Sequence, residues 1–253
     1  MPDIVINRTR DFKVSQFYES QGIRIYNPAY LTYIGNNKYE AVKYLSEHIT
    51  DSVKNKKWTA QTLLIKSKDI AKILSTEYMQ KVMANLGCFG KDIVIKSVDG
   101  HGGNEVFLLE VNSNLKKRRE IVNKLLGHDC IMQEKIDSDS SDIRVYIIGG
   151  KIYAAMLRTG GNDFRSNYSL YGNAEEYKLS DIQKNYVIEF VKALGGDKIG
   201  MAGIDFILTK DGQMLFNEVE EMAGSRMLYE RTSYDIVKDY VHWIFNVYDA
   251  NGG

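Results

Sequence analysis

Proline and cysteine are scarce in this 253-residue chain, with two of each. Pro2 and Pro28 both lie near the start, so no proline-rich linker divides the remainder. Cys88 and Cys130 have apolar neighbours and lack the spacing of a zinc site or a disulfide framework, which predicts two reduced, buried thiols. No apolar run approaches the roughly 20 residues of a membrane span, and no signal-peptide core follows Met1. We therefore expect a soluble, cytoplasmic protein with no membrane partner.

An excess of charge is also absent, because lysine plus arginine and aspartate plus glutamate both number 33. Such a balance lacks the positive field with which proteins attract nucleic acids, so we expect no nucleic-acid partner. The one basic run, 116–119, precedes apolar residues at helical spacing and predicts the solvated face of a helix. Only four histidines occur, and nothing resembles a Ser-His-Asp or Cys-His arrangement for nucleophilic catalysis.

Strand and helix patterns alternate along the chain, which predicts an α/β or α+β protein. The clearest helix should begin at Ser180, because Ser180 and Gln183 form a capping box before apolar residues at helical spacing, and should end at Gly195. Hairpins are predicted at Gly149-Gly150 and Asp211-Gly212. Further helices are predicted after Asn36, before Gly87 and over 233–248, and further strands over 3–7, 92–97, 105–111 and 130–136.

The second hairpin carries three carboxylates in apolar strands: Asp205, Glu218 and Glu220. A two-residue turn at Asp211-Gly212 would pair Lys210 with Gln213, Leu208 with Leu215, and Asp205 with Glu218. Alternation would then place Ile207, Phe216 and Glu220 on the face of Asp205. Like charges in this position repel one another, so a cation is expected between them. A hard ion such as Mg²⁺ prefers such oxygen ligands. The alternative is a solvent-exposed sheet face that nearby lysines neutralise.

Four further features precede this hairpin. Lys96 ends an apolar strand before the loop DGHGG, whose glycines allow backbone N–H groups to approach phosphate oxygens. The strand IMQEKI leads into an acidic loop that ends at Asp142, and Arg144 should share a face with Asp142. The segment RTGGNDFRSN places Arg158, Arg165 and Asn167 in a loop that surrounds an anion or faces solvent.

Taken in order, these features resemble the ATP-grasp superfamily, specifically the RimK-like carboxylate–amine ligases that include ribosomal-protein glutamate ligase and relatives of glutathione synthetase. The resemblance extends from about Pro2 to Val247 and rests on the segments VIKSVDGHGGNEV, MQEKI with DIRVYIIGGK, NDFRSN, AGIDFI and NEVEEMAG. It implies an α+β, ATP-grasp fold in which two α+β lobes clamp the nucleotide. The N-terminal lobe would cover 36–130 and the C-terminal lobe, with the metal site, 131–253. Residues 1–35 would be the remnant of a truncated N-terminal α/β segment.

The resemblance also implies ATP and Mg²⁺ as cofactors, with Mn²⁺ as the alternative metal, and a role for each site residue. The nucleotide-binding set comprises Lys38 and Lys96 for the phosphates, Gly102 and Gly103 in the phosphate loop, Glu134, Lys135 and Ile136 at the adenine hinge, and Asp142 on the ribose side. Arg144, Arg165 and Asn167 would hold the γ-phosphate and the acyl phosphate. Asp205 and Glu218 would bind the metal, with Glu220 as a third ligand where the family usually has asparagine.

Such a site would convert a substrate carboxylate to an acyl phosphate, from which an amine displaces phosphate to form an amide. The partners would be a carboxylate and an amine acceptor, such as an amino acid, peptide, protein or small metabolite, and a homo-oligomer is compatible with the sequence. Two alternatives stay open: a nucleotide-binding protein without ligase activity that acts in regulation or assembly, and an ATP-grasp kinase. The truncated N-terminal segment and EMAGSRMLYE, which replaces a small-residue-proline-glycine turn, favour the first alternative, and the same nucleotide site could serve the kinase. Glu105, in place of a glycine, is a further departure from the family pattern.

Overall fold

The computed structural model describes residues 1–160 and 173–250. The chain begins with two parallel strands, β1 (Ile4–Ile6) and β2 (Arg24–Tyr26), which α1 (Phe12–Ser20) connects. Helices α2 (Ala29–Gly35), α3 (Lys38–His48) and α4 (Asp51–Lys54) follow. Asn37 caps α3 by accepting hydrogen bonds from the backbone N–H groups of Tyr39 and Glu40, which fixes where the helix begins.

A four-stranded antiparallel sheet comes next, in the order β3-β6-β4-β5. Its strands are β3 (Thr62–Ile65), β4 (Ile93–Ser97), β5 (Val106–Leu109) and β6 (Cys130–Glu134). A 3₁₀-helix (Ser67–Leu74) and the helices α5 (Thr76–Asn85) and α6 (Leu115–Leu125) contribute to its apolar core. Because side chains alternate along a strand, Ile93 and Ile95 enter this core and Val94 and Lys96 point to the opposite face.

A second antiparallel sheet has five strands in the order β11-β10-β7-β8-β9. They are β7 (Ser141–Ile148), β8 (Lys151–Thr159), β9 (Asn173–Glu176), β10 (Met201–Leu208) and β11 (Met214–Glu220). On one face, α3 and α7 (Asp181–Ala193) cover a core in which Phe190 stacks on Phe216 and meets Phe206 edge-on. On the other face, α8 (Arg226–Arg231) and α9 (Ile236–Ala250) pack against Tyr146 and Met156.

The α+β class and most of the predicted elements are confirmed. The capping box of Ser180 and Gln183 forms at the start of α7, and both cysteines are free and buried. Elements that the sequence patterns did not predict include α1, β2, α2 and β3. The proposed division into lobes at 35/36 and 130/131 stays a prediction; β6 itself pairs within the four-stranded sheet. Within 1–160 and 173–250, no helix combines the length and the apolar character needed to cross a membrane.

Candidate functional site

A cavity of about 300 Å³ contains most of the predicted nucleotide-binding residues. Its walls come from both larger sheets, from the glycine loop and from the segment 134–142. The predicted residues that line it are Lys38, Lys96, Gly102, Gly103, Glu134, Lys135, Ile136, Asp142 and Glu218. Apolar wall positions come from Ala60, Val94 and Val106, which the sequence did not single out, and from Ile207, which alternation placed on the face of Asp205. A cleft that combines apolar walls with convergent charged groups is typical of a ligand site.

Two lysines stand at the glycine-loop end of this cavity. The Lys96 ammonium group donates a hydrogen bond of 2.9 Å to Asn217 Oδ1, and Lys38 Nζ lies 3.8 Å from Glu218 Oε2. Lys38 also donates to the Gly100 carbonyl, and its backbone N–H bonds to Val98 O at 2.9 Å. Lys38 thus joins the start of α3 to the glycine loop. Burial lowers the pKa of Lys96 to about 8, so this group gains from an anionic partner.

The segment after β6 forms the opposite rim. The Glu134 carboxylate is held by Lys57 at 2.7 Å and by the backbone N–H of Gln61 at 3.1 Å. These bonds hold the carboxylate of a residue that also lines the cavity. Lys210, at the tip of the acidic hairpin, lies 3.0 Å from both Asp137 and Asp139. The hairpin tip therefore closes one side of the rim.

The acidic hairpin confirms the central pairing and corrects the rest. Asp205 lies directly opposite Glu218, as predicted. The turn contains three residues, since Thr209 N–H bonds to Gln213 O and Gly212 has φ of 80°. Leu208 therefore pairs with Met214 rather than Leu215, and the expected pairing of Lys210 with Gln213 is wrong. A β-bulge at Asn217 adds one residue to β11 and restores the register at Asp205.

The same bulge corrects the predicted face of Phe216. Phe216 pairs with Phe206 and is buried among the aromatic residues of the core, on the face opposite Asp205. The extra residue, Asn217, reaches the cavity and contacts Lys96. An irregular strand thus supplies a site residue that strict alternation assigned to the other face.

Asp205 is fully buried and bound by two arginines. Arg144 Nε donates to Asp205 Oδ1 and Arg144 Nη2 donates to Oδ2, both at 2.7 Å. Arg158 Nη2 donates to the same Oδ2 at 2.6 Å. Arg158 in turn forms two bonds of 2.6 Å to Asp142. Burial alone would raise the pKa of the Asp205 carboxyl, but Arg144 and Arg158 lower it to about 2. The four side chains form a continuous ionic network on one face of the sheet, which also confirms that Arg144 and Asp142 share a face.

Of the three predicted metal-binding acids, Glu218 and Glu220 retain exposed side-chain surface. Burial raises the pKa of Glu220 to about 7. Arg144, whose Nη2 lies 3.9 Å from Glu220 Oε1, opposes this shift. Within the described ranges, the oxygens of Asp205, Glu218 and Glu220 do not converge to within 4.8 Å of one another. Glu218 lines the cavity and Glu220 follows it on β11, and this pair still fits Mg²⁺, which takes one or two carboxylates and completes its shell with water and phosphate.

Two residues of this site, Asn217 and Arg158, lay outside the predicted set. Arg158 belongs to β8 and is buried, rather than lying in a loop with Arg165 and Asn167. A second bulge, at Tyr153, sets Arg158 opposite Asp142. The sequence did contain a signal for this ion pair. Asp142 and Arg158 stand at similar distances from the turn Gly149-Gly150, so they are potential cross-strand partners of opposite charge. Arg165 and Asn167 lie outside the described residues.

The chain is similar to several known proteins. The family model of the RimK-like ATP-grasp domain matches residues 36–244. "Uncharacterized protein MG011 homolog" of Mycoplasma pneumoniae is 29% identical over 227 residues, which cover 89% of this chain and 68% of the relative. "Probable alpha-L-glutamate ligase 1" of Shewanella sp. (strain W3-18-1) is 31% identical over 159 residues, which cover 61% of this chain and 50% of the relative. The chain thus spans about half the length of the glutamate ligases that it matches.

Solved structures agree on the fold. D-alanyl-alanine synthetase A from Vibrio cholerae superposes with a TM-score of 0.64 at 14% identity, covering 96% of this chain and 76% of the synthetase. The ATP-grasp ligase PsnB, complexed with a minimal precursor variant, Mg and ADP, superposes with a TM-score of 0.59 at 18% identity, covering 89% and 62%. The ordered motifs, the ATP-grasp fold and the match over 36–244 lead to one conclusion: the chain belongs to the RimK-like ATP-grasp family.

Proposed function

We propose that this chain carries the catalytic site of an ATP- and Mg²⁺-dependent carboxylate–amine ligase that works through an acyl phosphate. The observation that carries the proposal is the single cavity in which Lys38, Lys96 and Glu218 converge beside the hinge segment. Transfer of a phosphoryl group needs alignment and charge neutralisation more than covalent help, and cationic and metal-binding groups suffice for that. Membership of the RimK-like family supports the same chemistry.

The proposed division of labour follows the position of each residue. Adenine would lie between the apolar walls, with its polar edge on the backbone of Glu134, Lys135 and Ile136, and the ribose would lie near Asp142. Lys38, Lys96 and the N–H groups of Gly102 and Gly103 would hold the phosphates. Asp205, Glu218 and Glu220 would be the metal-binding acids; the bound metal would neutralise charge on the transferred phosphoryl group.

The arginines would bind the phosphoryl group while it is transferred. Arg144 contacts both Asp205 and Glu220, so its guanidinium group could release one of these carboxylates and bind a phosphoryl oxygen instead. Arg165 and Asn167 are assigned to the same role by their place in the family motif, since the structure does not describe them. Removing Arg165 should therefore affect turnover more than nucleotide binding.

Relatives suggest the class of substrate. The names of the curated relatives include glutamate ligases, and the PsnB structures contain a precursor peptide. We propose an amino acid and a peptide or protein carboxyl group as the amine and carboxylate substrates. The chain covers 50% of the glutamate ligase and 62% of PsnB, so the substrate assignment rests on that shared part.

Release of ADP separates the proposed function from its alternatives. Purified protein would be incubated with ATP, Mg²⁺ and a panel of carboxylates, with and without amines, and Lys96→Ala would be the matched control. A ligase should release ADP and form an amide when both substrates are present. ADP and a stable phosphorylated product without an amine would identify a kinase. Tight ATP binding without ADP release in any combination would contradict catalysis and identify a nucleotide-binding protein.

A further inference from the structure

Three metal-binding side chains converge outside the nucleotide cavity. Asp99 is the first residue of the glycine loop, Glu105 follows the loop, and His128 lies between α6 and β6. One carboxylate oxygen of each acid and one ring nitrogen of His128 all lie within 4.8 Å of one another, and His128 Nδ1 is 3.2 Å from Asp99 Oδ1. We propose that these residues form a second cation site, separate from the proposed nucleotide metal, which binds a divalent transition metal such as Zn²⁺.

The donor set selects the class of metal. One imidazole nitrogen and two carboxylate oxygens form a three-ligand set of the kind that Zn²⁺ accepts, with water completing the shell, whereas Mg²⁺ prefers oxygen ligands alone. Zinc bonds to these donors are about 2.0–2.2 Å long, so movements of the order of 1 Å would close the site. The side chains of Asp99 and His128 are 59% and 38% exposed, which gives them this freedom and gives the metal a path from solvent.

The backbone around the cluster is already fixed. Val98 N–H bonds to Asp129 O at 2.9 Å, and Ser97 N–H bonds to Glu105 O at 3.2 Å, so the three donors come from segments that are joined by backbone bonds. The Ser97 hydroxyl donates a hydrogen bond to Glu105 Oε2 and can hold that carboxylate in position for a metal. A Cβ at Gly100 would lie 2.6 Å from the same oxygen, which indicates how closely the carboxylate packs against the loop.

The charges around the cluster favour a cation. Among the residues that the structure describes, no lysine or arginine forms an ion pair with Asp99 or Glu105, whereas the neighbouring Asp129 pairs with Lys66 at 2.8 Å. Glu105 stands where the family pattern has a glycine and does not line the nucleotide cavity, so a metal would give this departure a role.

A cation here would act on the glycine loop. Asp99 and Glu105 mark the two ends of the loop that brings Gly100, Gly102 and Gly103 to the cavity, and His128 precedes the central strand β6. A bound metal would tie both ends of the loop to the sheet. It would therefore slow the opening of the segment 99–105 without contacting the nucleotide itself.

Binding of Zn²⁺ alone tests the site without nucleotide or activity. Affinity would be measured by competition with a chromogenic chelator for the wild type, His128→Ala and Glu105→Gln, with the exposed His242→Ala as the matched control. We expect one Zn²⁺ per chain, an affinity at least about tenfold weaker in the two site variants, and no change in the control. Mg²⁺ should not compete at equal concentration.

Two results would overturn the proposal. One is the absence of stoichiometric Zn²⁺ binding by the wild type. The other is equal Zn²⁺ affinity in the wild type and Glu105→Gln. Because Glu105→Gln hardly changes the shape of the side chain, this second result decides the question even if His128→Ala does not fold. Amide hydrogen exchange then tests the effect on the loop. Zn²⁺ should slow exchange in 99–105 of the wild type and leave that of Glu105→Gln unchanged. Binding without slower exchange would refute the role in ordering the loop.

Discussion

Arg144 and Asp205 are cross-strand partners on β7 and β10, and their side chains meet in a bidentate ion pair with both distances at 2.7 Å. The pair is buried, so each charged group interacts with the other in place of the water that burial has removed. Arg158 adds a third bond to the same carboxylate. Removing either partner would leave a buried charge poorly compensated, and the pair also places an arginine beside the acids proposed to bind the metal.

The first prediction concerns the stability that this pair contributes. Arg144→Gln removes one partner and leaves Asp205 with Arg158 alone, so the free energy of unfolding should fall by about 3 kcal/mol, the lower end for breaking a buried pair. Urea denaturation would measure the change. The matched control is Arg226→Gln, because Arg226 lies 3.9 Å from Glu230 in an exposed pair and should change stability by less than about 1 kcal/mol. Similar losses in both variants would contradict the assignment.

The second prediction concerns the pH dependence that burial gives Lys96. Its pKa of about 8 lies below the ordinary value of 10.5, so between these values the unfolded chain binds more protons than the folded chain. The Lys96 contribution to stability therefore rises with pH in this window. ATP affinity should change in the opposite sense and fall as pH rises through 8, because the neutral amine no longer attracts phosphate. Lys96→Arg retains a charged side chain at both pH values, so its ATP affinity, measured by calorimetric titration, should be the same at pH 7 and pH 9. A wild-type affinity that is constant over this range would refute the prediction.

The third prediction separates binding from turnover. Lys96→Ala should weaken ATP binding, because Lys96 lies in the cavity among the groups proposed to hold phosphates in the ground state. Arg165→Ala should leave ATP affinity nearly intact and suppress turnover, because the arginine is assigned to the charge that develops during transfer. Equilibrium binding of ATP and the rate of ADP release would be compared for both variants. Equal losses of affinity would show that this division between ground state and transition state is wrong.

Much of the fold was predictable because its signals are local. The capping box at Ser180, the glycines at the turn 149–150 and the asparagine before α3 each act within a few residues of the structure that they determine. The pairing of Asp205 with Glu218 was also predicted. That agreement depended on two differences that cancel, since the three-residue turn shifts the register by one residue and the bulge at Asn217 shifts it back.

The site residues that were missed depend on bulges. Asn217 reaches Lys96 because it is the extra residue of β11, and Arg158 faces Asp142 because an extra residue stands at Tyr153. A bulge is stabilised by packing against the rest of the molecule and leaves no fixed pattern in the sequence. Strict alternation therefore placed Phe216 on the wrong face. The other apolar cavity walls were missed for a related reason: Ala60 and Val106 are distant in sequence, and neither is distinguishable from an ordinary core residue.

The last prediction concerns Glu220, where the family pattern has asparagine. Glu220 lies beyond Glu218 on the same strand, and among the described residues its ion-pair contact is the distance of 3.9 Å from its Oε1 to Arg144 Nη2. If Glu220 contributes to the metal site, Glu220→Gln should leave the stability of the metal-free protein unchanged or slightly raised, because one of three mutually repelling carboxylates is removed. The same substitution should reduce the stabilisation that Mg²⁺-ATP confers, by about 1.4 kcal/mol for each tenfold loss of affinity at saturation.

Thermal melts with and without Mg²⁺-ATP would measure both quantities for Glu220→Gln. Glu230→Gln, which makes the same charge change at the exposed surface of α8, is the matched control and should alter neither. Glu218→Gln should lose at least as much ligand-induced stabilisation as Glu220→Gln, because Glu218 lines the cavity directly. An unchanged ligand-induced shift in Glu220→Gln would remove Glu220 from the proposed metal ligands and leave that role to Asp205 and Glu218. Since Arg144 and Arg158 already hold Asp205, the metal would then depend chiefly on Glu218 unless an arginine moves away.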